Sequence, residues 1–189
     1  PPTIDNHIKI DQFGYRTTDR KVAVISNPQT GYNSSSPFTP GGIYQIRRWS
    51  DDAMIYNGII SQWNGGATHV QSGDKVWWFD FSVVTTPGFY YVFDVNNNVG
   101  SYMFEISECV YRDVMKQALR MFYYQRCGIT KQSPFAQTGW TDAACHAGVL
   151  QDLDCRLYSN TSASTSKNLS GGWHDAGDYN KYVNFTFET

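Results

Sequence analysis

Tyr102-Met103-Phe104-Glu105-Ile106-Ser107-Glu108-Cys109-Val110-Tyr111-Arg112-Asp113-Val114-Met115-Lys116-Gln117-Ala118-Leu119-Arg120-Met121-Phe122-Tyr123-Tyr124-Gln125-Arg126-Cys127-Gly128 is where the chain changes period. Tyr102 to Ile106 alternates as a strand does. From Glu108 to Arg126 there is neither Gly nor Pro, and Val110, Val114, Ala118 and Phe122 recur every four residues with Met115 and Leu119 beside them. That spacing predicts an amphipathic helix with one broad apolar face. Ser107 is its expected N-cap and Gly128 its stop. The reading is therefore β before residue 107 and α after it.

Upstream, short β-branched and aromatic runs stand between turn residues. They are Lys21–Ile25, Gly42–Trp49, Lys75–Phe81 and Gly88–Val95, with a Ser- and Pro-rich loop from Gly31 to Gly42. Several short strands with turn signals between them predict a β-sandwich. Downstream, Gln151 to Ser170 is rich in Ser, Thr and Asn and reads as a long loop. The expected organisation is multidomain β + α, with domains 1–106 and 107–189.

A chain of 189 residues has room for one or two domains with a sizeable core. Its formal net charge of −2 argues against a nucleic-acid partner held by a basic surface. No stretch reaches the roughly 18 consecutive apolar residues of a membrane span. Aromatics make up 16% of the chain, which suits both sugar stacking and half-buried sheets and so does not separate them. The N-terminus, Pro1 to Asp5, lacks a charged region followed by an apolar one, so no export signal is expected within it.

Chemistry concentrates in Gly171-Gly172-Trp173-His174-Asp175-Ala176-Gly177-Asp178-Tyr179-Asn180-Lys181-Tyr182-Val183. The glycines permit a tight irregular turn that aims two carboxylates, Asp175 and Asp178, in one direction. Paired acids serve glycoside hydrolysis, one as general base and one to hold the attacking water. The same cluster also suits a solvated turn or calcium ligands. Of the four cysteines, Cys145 adjoins His146, Cys127 lies 18 residues before Cys145, and His174 stands directly before Asp175; two thiolates and two imidazoles could hold a tetrahedral zinc, while an even cysteine count also permits two disulfides. Cys109 and Cys155 are expected as free buried thiols. His7 and His69 join no constellation and are expected at the surface. Asn160 and Asn168 head Asn-x-Ser/Thr sequons.

The D-A-G-D core, its G-G-W-x lead-in and its Y-N-K-Y-V tail resemble the aspartate signature of glycoside hydrolase family 9 cellulases. Ile8-Lys9-Ile10-Asp11-Gln12-Phe13-Gly14-Tyr15 and Lys21-Val22-Ala23-Val24 resemble the opening of the immunoglobulin-like module that precedes the catalytic domain in one branch of that family, and Arg112 to Gly128 resembles its first barrel helix. The resemblance implies an N-terminal immunoglobulin-like β-sandwich followed by the first helices of an (α/α)6 barrel. It implies a secreted enzyme that hydrolyses β-1,4-glucan with inversion. Asp178 would be the base, Asp175 would hold the water, and Trp173, Tyr179 and Tyr182 would line the substrate unless they simply pack the turn. It also implies a structural zinc on Cys127, Cys145, His146 and His174. A barrel of twelve helices needs far more than the roughly 80 residues after Ser107, at about 11–12 residues per helix. Glu188, the only glutamate after the acids, does not match the family's distant catalytic acid. The remaining part of the catalytic domain is then the expected partner, alongside a β-glucan substrate. A carbohydrate-binding or adhesion module without catalysis is the alternative. A zinc hydrolase is disfavoured, because four protein ligands leave no open position for water.

Overall fold

In the computed structural model, which describes residues 2–182, ten strands precede one α-helix. The strands are β1 (Thr3–Ile4), β2 (Ile8–Lys9), β3 (Val22–Pro28), β4 (Ile43–Arg48), β5 (Met54–Ile59), β6 (Ser61–Gln62), β7 (Asp74–Asp80), β8 (Gly88–Asp94), β9 (Val99–Gly100) and β10 (Phe104–Ile106); the helix is α1 (Arg112–Gln125). One sheet runs β1-β9-β8-β4-β5, with β10 also on β8, and the other runs β2-β3-β7-β6. Among the described strands only β1 and β9 pair in parallel.

Period-two patterning fixes which side chains meet between the sheets. Ala23 and Ile25 of β3, Tyr44 and Ile46 of β4, Phe79 of β7, and Tyr90 and Val92 of β8 are all buried. Tyr44 and Phe79 lie 5.7 Å apart, and Phe81 meets Phe104 at 5.4 Å. Full burial of each such side chain stabilises by about 1.5–3 kcal/mol. Two fully buried charged groups of this unit find partners. The fully buried Asp94 carboxylate accepts from Tyr44 Oη (2.7 Å), the Gly41 amide (2.8 Å), the Asn96 and Asn97 amides (3.0 and 3.1 Å) and Asn97 Nδ2 (2.8 Å). At Gly41 a Cβ would stand 2.2 Å from Asp94 Oδ1, so only glycine lets the backbone come this close. Lys21, equally buried, donates to the carbonyls of Thr17 (2.7 Å) and Asp19 (2.8 Å). Burial holds its ammonium pKa below the usual lysine value, against the raising effect of the Asp19 and Asp80 charges.

Several expectations are corrected. His7 is half-buried, not a plain surface residue. Its Nδ1 is 2.7 Å from Asp5 Oδ1, its Nε2 is 2.9 Å from Ser36 O, and its ring stacks on Phe38 at 5.0 Å. It pins the point where the N-terminal segment leaves one sheet for the other. His69 is likewise partly buried, in a local turn with Ser72. Helix α1 starts at Arg112, four residues later than the pattern suggests. Ser107 instead shapes the turn before it, where its Oγ accepts from the Cys109 amide (3.2 Å) and its carbonyl from the Val110 amide (3.3 Å). Cys109 is exposed and Cys155 partly so, hence neither is a buried thiol.

The chain divides into two compact units, Pro1–Asp113 and Val114–Thr189. Among the described residues no helix is long and apolar enough to cross a membrane. In the second unit the long segment expected as loop carries two single 3-10 turns, Asp152–Asp154 and Ala163–Thr165. A short ladder between Cys155 and Lys167 closes it locally. Val183 and Glu188 lie outside the described residues.

Candidate metal centre and acid turn

Two backbone hydrogen bonds build the site. The Cys127 amide donates to Gly172 O and the His174 amide to Gln125 O, both at 2.9 Å, so that Arg126 and Trp173 pair as antiparallel neighbours. This fastens the aspartate segment to the exit of α1. Gly171 and Gly172 take φ of 87° and 73°, the left-handed region that a Cβ disfavours, and this conformation brings the chain in. Side chains lock the register. Trp173 Nε1 donates to Phe122 O (3.0 Å), the Arg126 guanidinium sits 4.9 Å over the Trp173 ring, and Gln125 Nε2 donates to Ala176 O (2.8 Å). Trp173 is thus occupied in packing the turn.

That pairing sets Cys127 beside His174, and Cys145 and His146 close the group. One donor atom from each of the four residues lies within 4.8 Å of every other. The Cys145 and Cys127 sulfurs are 3.9 Å apart, and Cys145 Sγ is 3.7 Å from His174 Nε2. Tetrahedral zinc with bonds of about 2.3 Å to sulfur and 2.0–2.1 Å to nitrogen has edges of about 3.8 Å between sulfurs and about 3.6 Å between sulfur and nitrogen. These two distances match such edges, and the whole donor set lies within 4.8 Å. His146 Nδ1 is also buried with no hydrogen-bond partner, as a ring nitrogen is where a cation completes the shell. All four thiols are free, so neither proposed disulfide forms.

The two sulfurs are electrostatically unequal. Burial pushes the Cys127 thiol up to about 11, aided by the hydrogen bonds to Asp152 and Cys145. Burial raises Cys145 too, but hydrogen bonds from His174, the Gly128 amide, His146 and Cys127 outweigh it and bring it down to about 6. A divalent ion would bind both sulfurs as thiolates.

Beyond this base the turn reaches solvent. Asp175 and Asp178 are both exposed. The Asp175 amide donates to Asn180 O (3.0 Å), while Asp178 accepts from the Asn180 amide and from Asn180 Nδ2, each at 3.2 Å. Among the described residues no third His, Cys, Asp or Glu side chain gathers with these acids. Tyr179 is 72% exposed, yet its ring meets the edges of His146 (5.0 Å) and His174 (5.2 Å). Tyr182 Oη lies 3.3 Å from Asn180 Nδ2. Three residues that sequence reasoning passed over belong to this assembly: Gln125, Asp152 and Lys181. Lys181 pairs with Asp152, which accepts from the Cys127 thiol at 3.2 Å. Twenty-nine residues separate that ion pair, and no pattern flags it.

Comparison with known proteins agrees with this architecture. Residues 4–98 match the cellulase N-terminal ig-like domain and residues 111–189 match glycosyl hydrolase family 9. Endoglucanase D of Acetivibrio thermocellus is 29% identical over 180 residues, covering 95% of this chain and 25% of that protein. A solved structure, Bacteroides ovatus GH9, superposes with a TM-score of 0.71 at 26% identity, over 94% of this chain and 29% of the other. A zinc-binding triple mutant of the GH family 9 endoglucanase J30 superposes with a TM-score of 0.63 at 29% identity, over 87% of this chain and 27% of the other. The chain spans between 20% and 25% of the length of the first curated relatives it matches. The β-sandwich and the helix that follows it are thus the ig-like domain and the start of the family's catalytic fold, and the chain belongs to glycosyl hydrolase family 9, in the branch that carries a cellulase N-terminal ig-like domain.

Proposed function

We propose that this chain is the N-terminal part of a secreted inverting glycoside hydrolase that cleaves β-1,4-glucosidic bonds in cellulose or a related β-glucan, acting within the chain as an endoglucanase. The observation that carries the reading is the pair of hydrogen bonds at the base of the turn, Cys127 N to Gly172 O and His174 N to Gln125 O. They hold the backbone beneath two solvent-facing carboxylates. A turn so fastened keeps acids aimed with little reorganisation. Domain 1–106 is the immunoglobulin-like module, and 107–189 opens the catalytic domain.

In this reading Asp178 takes a proton from water and Asp175 orients the same water. Asn180 donates to Asp178 and accepts from the Asp175 backbone, so it couples the two positions. The leaving oxygen is protonated by an acid across the cleft, roughly 6.5–9.5 Å from the base, supplied by the remaining part of the catalytic domain. Tyr179 and Tyr182 offer ring faces to sugar, and Trp173 packs the turn that carries them against the exit of α1. Cys127, Cys145, His146 and His174 hold a structural zinc. Its chemistry is to bind two thiolates and two imidazoles in a closed shell that anchors the turn.

The test is substitution in the longer enzyme. Asp178→Ala is expected to lower turnover of soluble cellulose by about 10²–10⁴-fold with the fold intact, and Asp175→Ala to be severely impaired. Near-normal turnover by either variant would sink the assignment. Polarimetry or NMR of the first-formed anomer checks inversion.

A further inference from the structure

Lys181, the last charge of the aspartate segment, does not point to solvent. Its Nζ lies against the Asp152 carboxylate and donates to Gly171 O (2.9 Å) and Leu169 O (3.1 Å). The oxygen of Asp152 that meets Lys181, Oδ2, is the one that accepts from Cys127 Sγ at 3.2 Å. Asp152 is itself fixed. Its amide donates to His146 O (3.3 Å) and its carbonyl accepts from the Leu169 amide (2.7 Å). The side chains of Lys181 and Asp152 retain only 25% and 15% exposure, so water screens this pair weakly.

A carboxylate 3.2 Å from a metal-ligating sulfur is an unusual neighbour. While Cys127 keeps its proton the contact is a hydrogen bond. A metal-bound cysteine has given that proton up. The two charges of the ion are then balanced by the Cys127 and Cys145 thiolates, so the half-buried Asp152 carboxylate beside them is stable only with a cation of its own. Lys181 is that cation. His146, Cys145 and His174 are the other ionisable groups of the cluster, and as ligands they bring no further positive side chain.

We infer that Lys181 is a positioning residue for the metal centre: its ammonium neutralises Asp152 so that Cys127 can serve as a thiolate ligand, and the same ammonium clamps Leu169 O and Gly171 O below the acid turn. The inference rests on the zinc reading above. Groups just outside the ligand shell typically change metal affinity by about 10–100-fold.

Zinc affinity of the 189-residue chain, measured by competition with a chromophoric chelator, tests this in three proteins. The unsubstituted chain binds one zinc. Lys181→Met binds about 10–100-fold more weakly. The double variant Asp152→Asn/Lys181→Met recovers most of that loss, because the facing charge is gone. Replacing zinc by cobalt adds a spectroscopic check: thiolate-to-cobalt bands of two-sulfur intensity in the unsubstituted and double variants, and a weaker band in Lys181→Met at equal cobalt. Undiminished affinity in Lys181→Met overturns the inference. So does a double variant as weak as the single, since that leaves the lysine only its backbone contacts. Lys181→Arg keeps the charge and binds within a few-fold of the unsubstituted chain; a loss as large as that of methionine would count against charge compensation, and this variant stands in if Lys181→Met does not fold. Failure of the unsubstituted chain to bind zinc would remove the metal reading first, and the inference with it.

Discussion

Replacing Asp94 by alanine puts the ig-like domain to a demanding test. The carboxylate is fully buried and accepts five hydrogen bonds. Removing it strands them unequally. Asn96 and Asn97 are exposed and turn to water. The Tyr44 hydroxyl and the Gly41 amide are buried and have nowhere to turn. Each orphaned buried donor costs about 1–3 kcal/mol, so the two together cost about 2–6 kcal/mol. That is a large share of the about 5–15 kcal/mol that holds a domain folded. Amide hydrogen exchange reads the loss directly in the slowest amides of β4 and β8, which report global opening. At about 1.4 kcal/mol per decade, their protection should fall by about 30- to 10⁴-fold. Tyr44→Phe removes one orphan in advance. The double variant Asp94→Ala/Tyr44→Phe should therefore be more stable than the two single losses added together. A protection loss below about threefold in Asp94→Ala, or strict additivity in the double variant, would refute the claim that the carboxylate is the anchor of this turn.

Other outcomes follow from the same geometry. Elemental analysis should find one zinc per chain, and its removal by a chelator should lower the melting temperature of the second unit; zinc should also be released on acidification, because its ligands must be deprotonated. Cys145→Ser should abolish stoichiometric zinc while leaving exchange protection in β3 and β7 unchanged. Burial pushes Tyr15 up to about 12, so the folded chain keeps a proton that the unfolded chain loses near pH 10; that contribution is complete below pH 10 and is lost as pH rises to about 12. Urea midpoints measured between pH 9 and pH 12 should fall by about 2–3 kcal/mol equivalent from this group, and Tyr15→Phe should flatten the slope. Trp173→Phe keeps the ring but drops the bond to Phe122 O, so it should destabilise the second unit by about 0.5–1.5 kcal/mol without loss of zinc, as thermal melts with metal analysis would show.

Much of the β architecture is legible in the chain because aromatic and β-branched runs coincide with buried strands. Lys21–Ile25, Gly42–Trp49, Lys75–Phe81 and Gly88–Val95 each find their strand. β5 escapes notice because Asn57-Gly58 imitates a turn. In the structure Gly58 is a strand residue whose absent Cβ makes room for Phe79, 3.1 Å from where that atom would be. β1, β2, β6 and β9 have two residues each, too few to show a period. The late start of α1 is equally invisible, since Glu108 to Tyr111 fits the apolar spacing and the bonds to the Ser107 side chain and carbonyl divert it. At the site, the four metal-binding candidates and the paired acids carry recognisable signatures. Asp152 and Lys181 do not, because an ion pair made across a long loop depends on where the loop closes and leaves no local spacing.

The pairing of Arg126 with Trp173 has a consequence for how such a protein can vary. It brings together two points of the chain that are 47 residues apart, so most of what lies between is an excursion that begins and ends at the same place. Cys145, His146 and Asp152 return to that base, whereas the stretch around Tyr158 stays outside and is fully solvent-accessible. Closing a longer flexible loop adds only about 0.6 kcal/mol for each doubling of length. Related sequences should therefore tolerate insertions and deletions between Leu157 and Asn160 with no displacement of the acids. For the engineer this is an address: a fluorophore, an affinity tag or a docking peptide spliced there would ride on the protein while the base of the turn stays sewn shut.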